Sequence, residues 1–181
     1  MQDIAAHVMD IAQNSVRAKA SRIEIEYRED PGKDSLTIMI QDNGCGMNEA
    51  TLARVTDPFF TSRTVRKVGL GIPLLKQNAE RTGGSFSITS REGEGTTVRA
   101  EFVLSNWDTP PRGDMGGTVV LLATANPEIE FIYRHITAKG EYVFDTREVK
   151  ETLGDVPINH LEIVSALQEL VRENIRELST E

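Results

Sequence analysis

The sequence predicts an α/β fold of the α+β kind, a leading helix followed by pairs of antiparallel strands. Three observations predict it. Residues 3 to about 18 place Ile4, Ala5, Val8, Ile11, Ala12, Ser15 and Val16 on one small or apolar side of a helix. Arg22 to Arg28 and Leu36 to Ile40 alternate apolar and polar residues on either side of Glu29-Asp30-Pro31-Gly32-Lys33-Asp34, which is turn chemistry. Phe86 and Ile88, then Val98, Ala100, Phe102 and Leu104, repeat that alternation around Glu92-Gly93-Glu94-Gly95.

Composition bounds what such a chain can do. Its 181 residues suffice for one good domain, or one domain with a sizeable appendage. A formal net charge of -8 argues against binding to a nucleic-acid backbone, which needs clustered Lys and Arg. Nucleotide binding needs only a few local cations and stays open. Cys45 is the single cysteine, so neither an intrachain disulfide nor a cysteine metal cluster can form. Met1-Gln2-Asp3 lacks a basic n-region, and no apolar run is long enough to span a bilayer. The expectation is a cytoplasmic protein without a membrane partner.

Along the first helix, Asp3, His7, Asp10, Asn14 and Arg17 recur at spacings of three and four and share a side. Asn14 offers a hard oxygen of the kind magnesium prefers. Asp10, one turn earlier, can take a proton or orient a water, and Arg17 can meet a phosphate. The returning strand of the hairpin ends in Asp42-Asn43-Gly44-Cys45-Gly46, with Met47 following. A carboxylate there can accept from an exocyclic amine, and the glycines let backbone approach a flat ring. Asn48 reads as the N-cap of a short helix to about Val55. Residues 57 to 71 join Phe59, Phe60, Thr61, Ser62, three cations, Gly69, Leu70 and Gly71 into a loop that feeds a helix start, where backbone N–H groups favour an anion. Pro73 suits that helix's first turn, and Gly83-Gly84 stops it.

Beyond Leu104 the pattern changes. Trp107 to Gly117, with Pro110-Pro111 and three glycines, reads as a linker at 106–117. The tail at 118–181 is expected to be β-β-β-α. Its strands would be Thr118–Thr124, Ile129–Ile136 and Glu141–Phe144, with a short helix over Thr146–Leu153. Asn159 and Glu162 suggest a capping box before a long helix carrying Leu161, Val164, Leu167, Val171, Ile175 and Leu178 on one face. That face is expected to pack on the tail's own strands; a homodimer or partner seam is its alternative use.

Taken in order, these motifs resemble the GHKL superfamily of ATP-binding domains, which groups gyrase, heat-shock chaperones, histidine kinases and mismatch-repair proteins. Asp10-Ile-Ala-Gln-Asn14 matches the asparagine box and Asp42-Asn-Gly-Cys-Gly46 the first glycine box. Asp57-Pro-Phe-Phe-Thr-Ser62 is similar to the phenylalanine box of histidine kinases. Gly69-Leu-Gly71-Ile matches the second glycine box and Gly93-Glu-Gly-Thr96 the terminal glycine-threonine motif. The resemblance covers residues 3 to 104, hence a domain at 1–105. It implies the Bergerat fold, a two-layer sandwich whose mixed, mainly antiparallel sheet carries helices on one face.

The resemblance also implies roles. Asp42 would bind the adenine amine of ATP with Thr96 in support, while Gly44, Gly46 and Met47 let backbone pass the base. Asn14 would hold Mg2+ against the phosphates. Gly69, Leu70 and Gly71 would offer lid backbone, with Arg17, Thr61 and Lys67 near the phosphate chain. Asp10 stands where hydrolysing relatives usually have a glutamate general base, one methylene shorter. Arg17, the Phe59-Phe60-Thr61-Ser62 run and the short lid lean toward the kinase branch. His7, His135 and His160 lack a phosphoacceptor motif, so the expected function is a regulatory kinase acting on a separate protein. The alternative is an ATP-driven or ATP-sensing switch with slow or no hydrolysis.

Overall fold

The computed structural model describes residues 2–57, 59 and 70–179. Helix α1 (Ile4–Arg17) leads into strands β1 (Arg22–Asp30) and β2 (Ser35–Asp42), joined by a 3-10 turn at Pro31–Lys33. Helices α2 (Glu49–Arg54) and α3 (Gly71–Arg81) precede β3 (Ser85–Arg91) and β4 (Gly95–Val103). Then come α4 (Met115–Ala125), β5 (Glu130–Thr137), β6 (Gly140–Asp145), α5 (Thr146–Leu153) and α6 (Leu161–Leu178). Among the described residues the strands form one six-stranded sheet in the order β3-β4-β2-β1-β5-β6. Only β1 and β5 run parallel; every other neighbouring pair is antiparallel.

Alternation decides the layering. Ile23, Ile25, Tyr27, Leu36, Ile38, Ile40, Val98, Ala100, Phe102, Phe131 and Tyr133 point to one face and share a core with apolar residues of α1, α3, α4 and α6. Burying side chains of this size stabilises by about 1.5–3 kcal/mol each, so this face outweighs any surface term. The opposite face carries Arg22–Glu24 at 2.9 Å, Arg28–Glu26 at 3.0 Å and Arg99–Glu101 at 3.0 Å. Such half-exposed pairs contribute at most about 1 kcal/mol each. The two-layer, mainly antiparallel sandwich with a helical face is the architecture the motifs imply.

Several local expectations hold. Asn48 accepts from Thr51 N–H at 2.8 Å and caps α2. Gly83 N–H donates to Glu80 O and Gly84 N–H to Ala79 O, which ends α3. The tail departs from expectation in two places. Thr118–Thr124 lies inside α4, so the extension is α-β-β-α-α. Thr118-Val119-Val120-Leu121-Leu122 reads as a strand because β-branched and apolar residues follow one another without helical periodicity. A helix packed against α1, α6 and β5 is apolar nearly all round, so it leaves none. The helix also takes in Met115, Gly116 and Gly117 from the segment read as linker, and Asp114 caps it through Gly117 N–H at 2.9 Å. The capping box at Asn159 does not form: α6 starts one residue later, after His160, with no side-chain cap. Leu167, Val171 and Ile175 are buried within the chain, so this helix face packs internally.

β5 and β6 extend the sheet of the first half rather than building a separate one. The intervening strap also grips α1, since Ile4 N–H donates to Pro111 O at 2.9 Å and Ala5 N–H to Arg112 O at 3.0 Å. Both are N–H groups that a helix start leaves unpaired.

At this junction His135 is completely buried. It stacks on Tyr27 at 4.6 Å and its Nδ1 lies 2.7 Å from the Tyr133 hydroxyl, while Nε2 has no partner among the described residues. Burial, with a smaller push from Arg112, lowers its pKa from 6.5 to about 4. Below pH 6.5 the unfolded chain therefore takes a proton that the folded chain refuses. The stabilisation is fully present above that pH and is lost as pH falls toward 4, by roughly 3 kcal/mol. Melting temperature should drop across this window, and His135→Phe, which keeps the stack, should flatten the slope. A variant with the native slope would remove His135 as its origin.

Candidate nucleotide-binding site

The site is built where β2 ends. Asp42 is the last residue of β2, opposite Thr96 in β4, and Thr96 is opposite Ser90 in β3. These side chains form a row on the helical face, in line with Ile40, Val98 and Ile88 one step further in. Asp42 Oδ1 accepts from Gly44 N–H at 2.9 Å, and Oδ2 accepts from the Ser15 hydroxyl of α1 at 2.6 Å. The carboxylate is thus fixed by two donors and keeps further lone pairs for a ligand.

The turn after Asp42 is held on both sides. Asn43 Oδ1 accepts from Ser21 and Arg22 N–H, each at 2.9 Å, tying the turn to the start of β1. Cys45 N–H donates to Ala18 O at 2.9 Å and Cys45 O accepts from Gly93 N–H at 2.7 Å. Gly46 sits at φ +65 with Arg91 O only 2.0 Å from where a Cβ would be, so no side chain fits. Met47 N–H then donates to the Ser90 hydroxyl at 2.8 Å.

Helix α1 carries the other end of the site. Ser15 meets Asp42; Asn14 is its neighbour, and Asp10 lies about 7.5 Å further along the axis at 1.5 Å per residue. Gln2 Nε2 donates to Asp10 Oδ2 at 2.7 Å. Gly71, the first residue of α3, packs on this carboxylate's stem: a Cβ there would lie 3.2 Å from Asp10 Cβ. The Arg17 guanidinium donates to Asn14 Oδ1. Leu70 precedes α3 without a side-chain cap and is 51% exposed, so the helix's first N–H groups are not capped by it. Beneath, His7 is 1% exposed, and its Nε2 lies 2.8 Å from the Asn78 amide of α3. Burial lowers the His7 pKa against the raising pull of Asp10 and Asp3, which keeps the imidazole neutral between the two helices.

Asp10, Asn14, Arg17, Asp42, Gly44, Gly46, Met47, Leu70, Gly71 and Thr96 therefore fall along one end of the sheet and the adjoining sides of α1 and α3. Thr61, Lys67 and Gly69 lie outside the described residues, as does the phenylalanine box apart from Asp57 and Phe59. Sequence reasoning missed Ser15, Ser90 and Gln2. Ser15 and Ser90 had a signal, since each is a hydroxyl on an otherwise apolar inward row. Gln2 had none.

A match to the sequence family described as "Histidine kinase-, DNA gyrase B-, and HSP90-like ATPase" spans residues 2–106. The chain belongs to this family. Its ATP-binding, histidine kinase-like domain thus covers the first four strands and α1 to α3. A "Putative sensor protein" of Shewanella frigidimarina is 33% identical over 109 residues, covering 59% of this chain and 17% of its own. A "Probable C4-dicarboxylate sensor kinase" of Bacillus subtilis is 32% identical over 88 residues, covering 49% of this chain and 16% of its own. The chain spans less than a fifth of the length of these relatives. Among solved structures, the Aquifex aeolicus MutL ATPase domain complexed with ADP aligns over 100% of both chains, with a TM-score of 0.55 and 15% identity. The N-terminal domain of a DNA repair protein aligns with a TM-score of 0.61 and 16% identity, over 87% of this chain and 59% of its own. At such identities the likeness is one of fold, and it extends into the α4–α6 region. No helix among the described residues is long and apolar enough to cross a membrane.

Proposed function

We propose that the chain binds ATP with magnesium and acts in the cytoplasm as a regulatory kinase, passing the γ-phosphate to a separate protein. The observation that carries this reading is the placement of Asp10 against the start of α3, with Asn14 one turn along α1 and Ser15 fixing Asp42. Asp42 accepts from the adenine amine, Thr96 supports that contact, and Gly44, Gly46 and Met47 line the base through backbone. Leu70, Gly71, Arg17, Thr61, Lys67 and Gly69 serve the phosphates. The Asn14 carboxamide oxygen suits magnesium, although it now accepts from Arg17, so metal and guanidinium compete for it. Among the described residues no trio of His, Cys, Asp or Glu could hold a metal, so further ligands would be phosphate oxygens and water. Magnesium there would neutralise charge as the phosphoryl group moves. His7 and His135 are buried, and His160, exposed at the start of α6, carries no phosphoacceptor motif, which supports an acceptor on a separate protein.

Asp10 is the group to orient or deprotonate the acceptor. Asp10→Asn should lower phosphoryl transfer or hydrolysis at least about a hundredfold while ATP affinity stays within about threefold. Incubation with labelled ATP and native extract, comparing wild type with the variant, reads transfer directly; equal labelling would remove Asp10 as the base.

A second reading, a switch that turns ATP over slowly or not at all, has its own supporting observation. The strap caps α1, and β5 pairs with β1, so the extension at 118–181 is joined to the helix bearing Asp10 and Asn14. In that case ATP binding would change how the extension meets a partner or a second copy. ATP binding without any labelled acceptor would favour it.

A further inference from the structure

We infer that Ser90 is a positioning residue for base selection: it draws the Thr96 hydroxyl proton inward, leaving only hydrogen-bond acceptors facing the six-position of a purine. The inference rests on the nucleotide reading of Asp42 and Thr96 and adds a residue that neither the motifs nor the family match assigns.

A serine hydroxyl has one proton and two lone pairs. Ser90 Oγ receives Met47 N–H at 2.8 Å, which takes one lone pair. It lies 3.0 Å from Gly95 O, a carbonyl that can only accept, so the Ser90 proton goes there. The remaining contact, 2.8 Å to Thr96 Oγ1, must then be made with Thr96 as donor. Ser90 is saturated by this arrangement, and the Thr96 proton is spent inside the protein. What Thr96 turns toward a ligand is lone pairs.

Asp42, beside it in the row, is likewise an acceptor, since its oxygens already take the Gly44 and Ser15 protons. Two neighbouring acceptors suit the amine at position six of adenine. They oppose the carbonyl oxygen that hypoxanthine and guanine carry there. Were Thr96 free to rotate, it could donate to that oxygen and soften the opposition. Ser90 denies it that freedom.

The test compares ATP with inosine triphosphate, which differs by the six-oxo group and the proton on its neighbouring ring nitrogen, by calorimetry on the full chain. Ser90→Ala should cut the ATP preference about tenfold, the scale of one neutral hydrogen bond. Ser90→Thr, which keeps the hydroxyl, should preserve it. In a Thr96→Val background, Ser90→Ala should leave the preference unchanged, because Ser90 acts through Thr96. If Ser90→Ala instead weakens both nucleotides by one factor, Ser90 is only structural and the inference falls. Should Ser90→Ala fail to fold, Ser90→Cys, of similar volume but a poor donor, carries the same expectation and the same refutation. A wild type without preference for ATP, together with Asp42→Asn binding ATP normally, would overturn the base assignment beneath it.

Discussion

Asp42→Asn should weaken ATP binding by at least about a hundredfold, roughly 3 kcal/mol, while leaving the fold intact. The carboxylate now meets the Gly44 N–H and the Ser15 hydroxyl with separate oxygens, and the proposed base amine needs one more lone pair at the open edge. Asparagine has a single oxygen. Its amide nitrogen must take either the place beside Ser15, which could reverse its own proton, or the place beside the Gly44 N–H, where donor would oppose donor, and the edge it takes can no longer accept from a ligand amine. The loss combines a charge-assisted bond, worth about 1.5–3 kcal/mol, with the cost of an unpaired polar edge. Asp42 is only part-buried and ends its strand, so melting should shift little. Calorimetric titration with ATP decides the matter, and native affinity in a folded variant would sink the assignment.

The sequence carried the first hundred residues well because there two local signals agree. Each strand alternates, and each turn holds residues that strand or helix interiors avoid, such as Asp30-Pro31-Gly32 and Glu92-Gly93-Glu94-Gly95. Asp42 and Thr96 could be named separately from motif order; that they stand opposite each other depends on the β2–β4 register, which no local pattern encodes. The same holds for Ser15 and Ser90, whose partners lie 27 and 43 positions away in the Asp42 and Met47 contacts. The extension was harder to read because its first helix is buried among α1, α6 and β5 and so lacks a polar stripe. Its parallel pairing with β1 was invisible for another reason: β5 is brought to β1 by a crossover through α4, and that helix reads as a strand.

The β2–β4 register brings Gly95 against the backbone of Asp42. The glycine opens β4 at φ +118, and a Cβ there would stand 2.0 Å from Asp42 O and 2.9 Å from Asn43 Cα. Both obstacles are backbone, in the strand that carries the candidate base contact, so no rotamer change relieves them. Gly95→Ala should therefore destabilise the protein by about 3–5 kcal/mol, the sum of an unfavourable φ and a forced separation of β2 from β4. Against a typical total of about 5–15 kcal/mol this is a large share. Molecules that remain folded should also bind ATP poorly, because separating the strands moves Asp42 from Thr96. Gly93, two residues earlier in the same turn, isolates the cause. Its φ is +81, yet a Cβ would meet nothing within 4 Å. Gly93→Ala thus incurs the dihedral penalty alone, about 1 kcal/mol. Chemical denaturation of the two variants should separate them by at least about 2 kcal/mol. Equal losses would mean that turn strain, and not the contact with the Asp42 backbone, is what requires glycine beside the site.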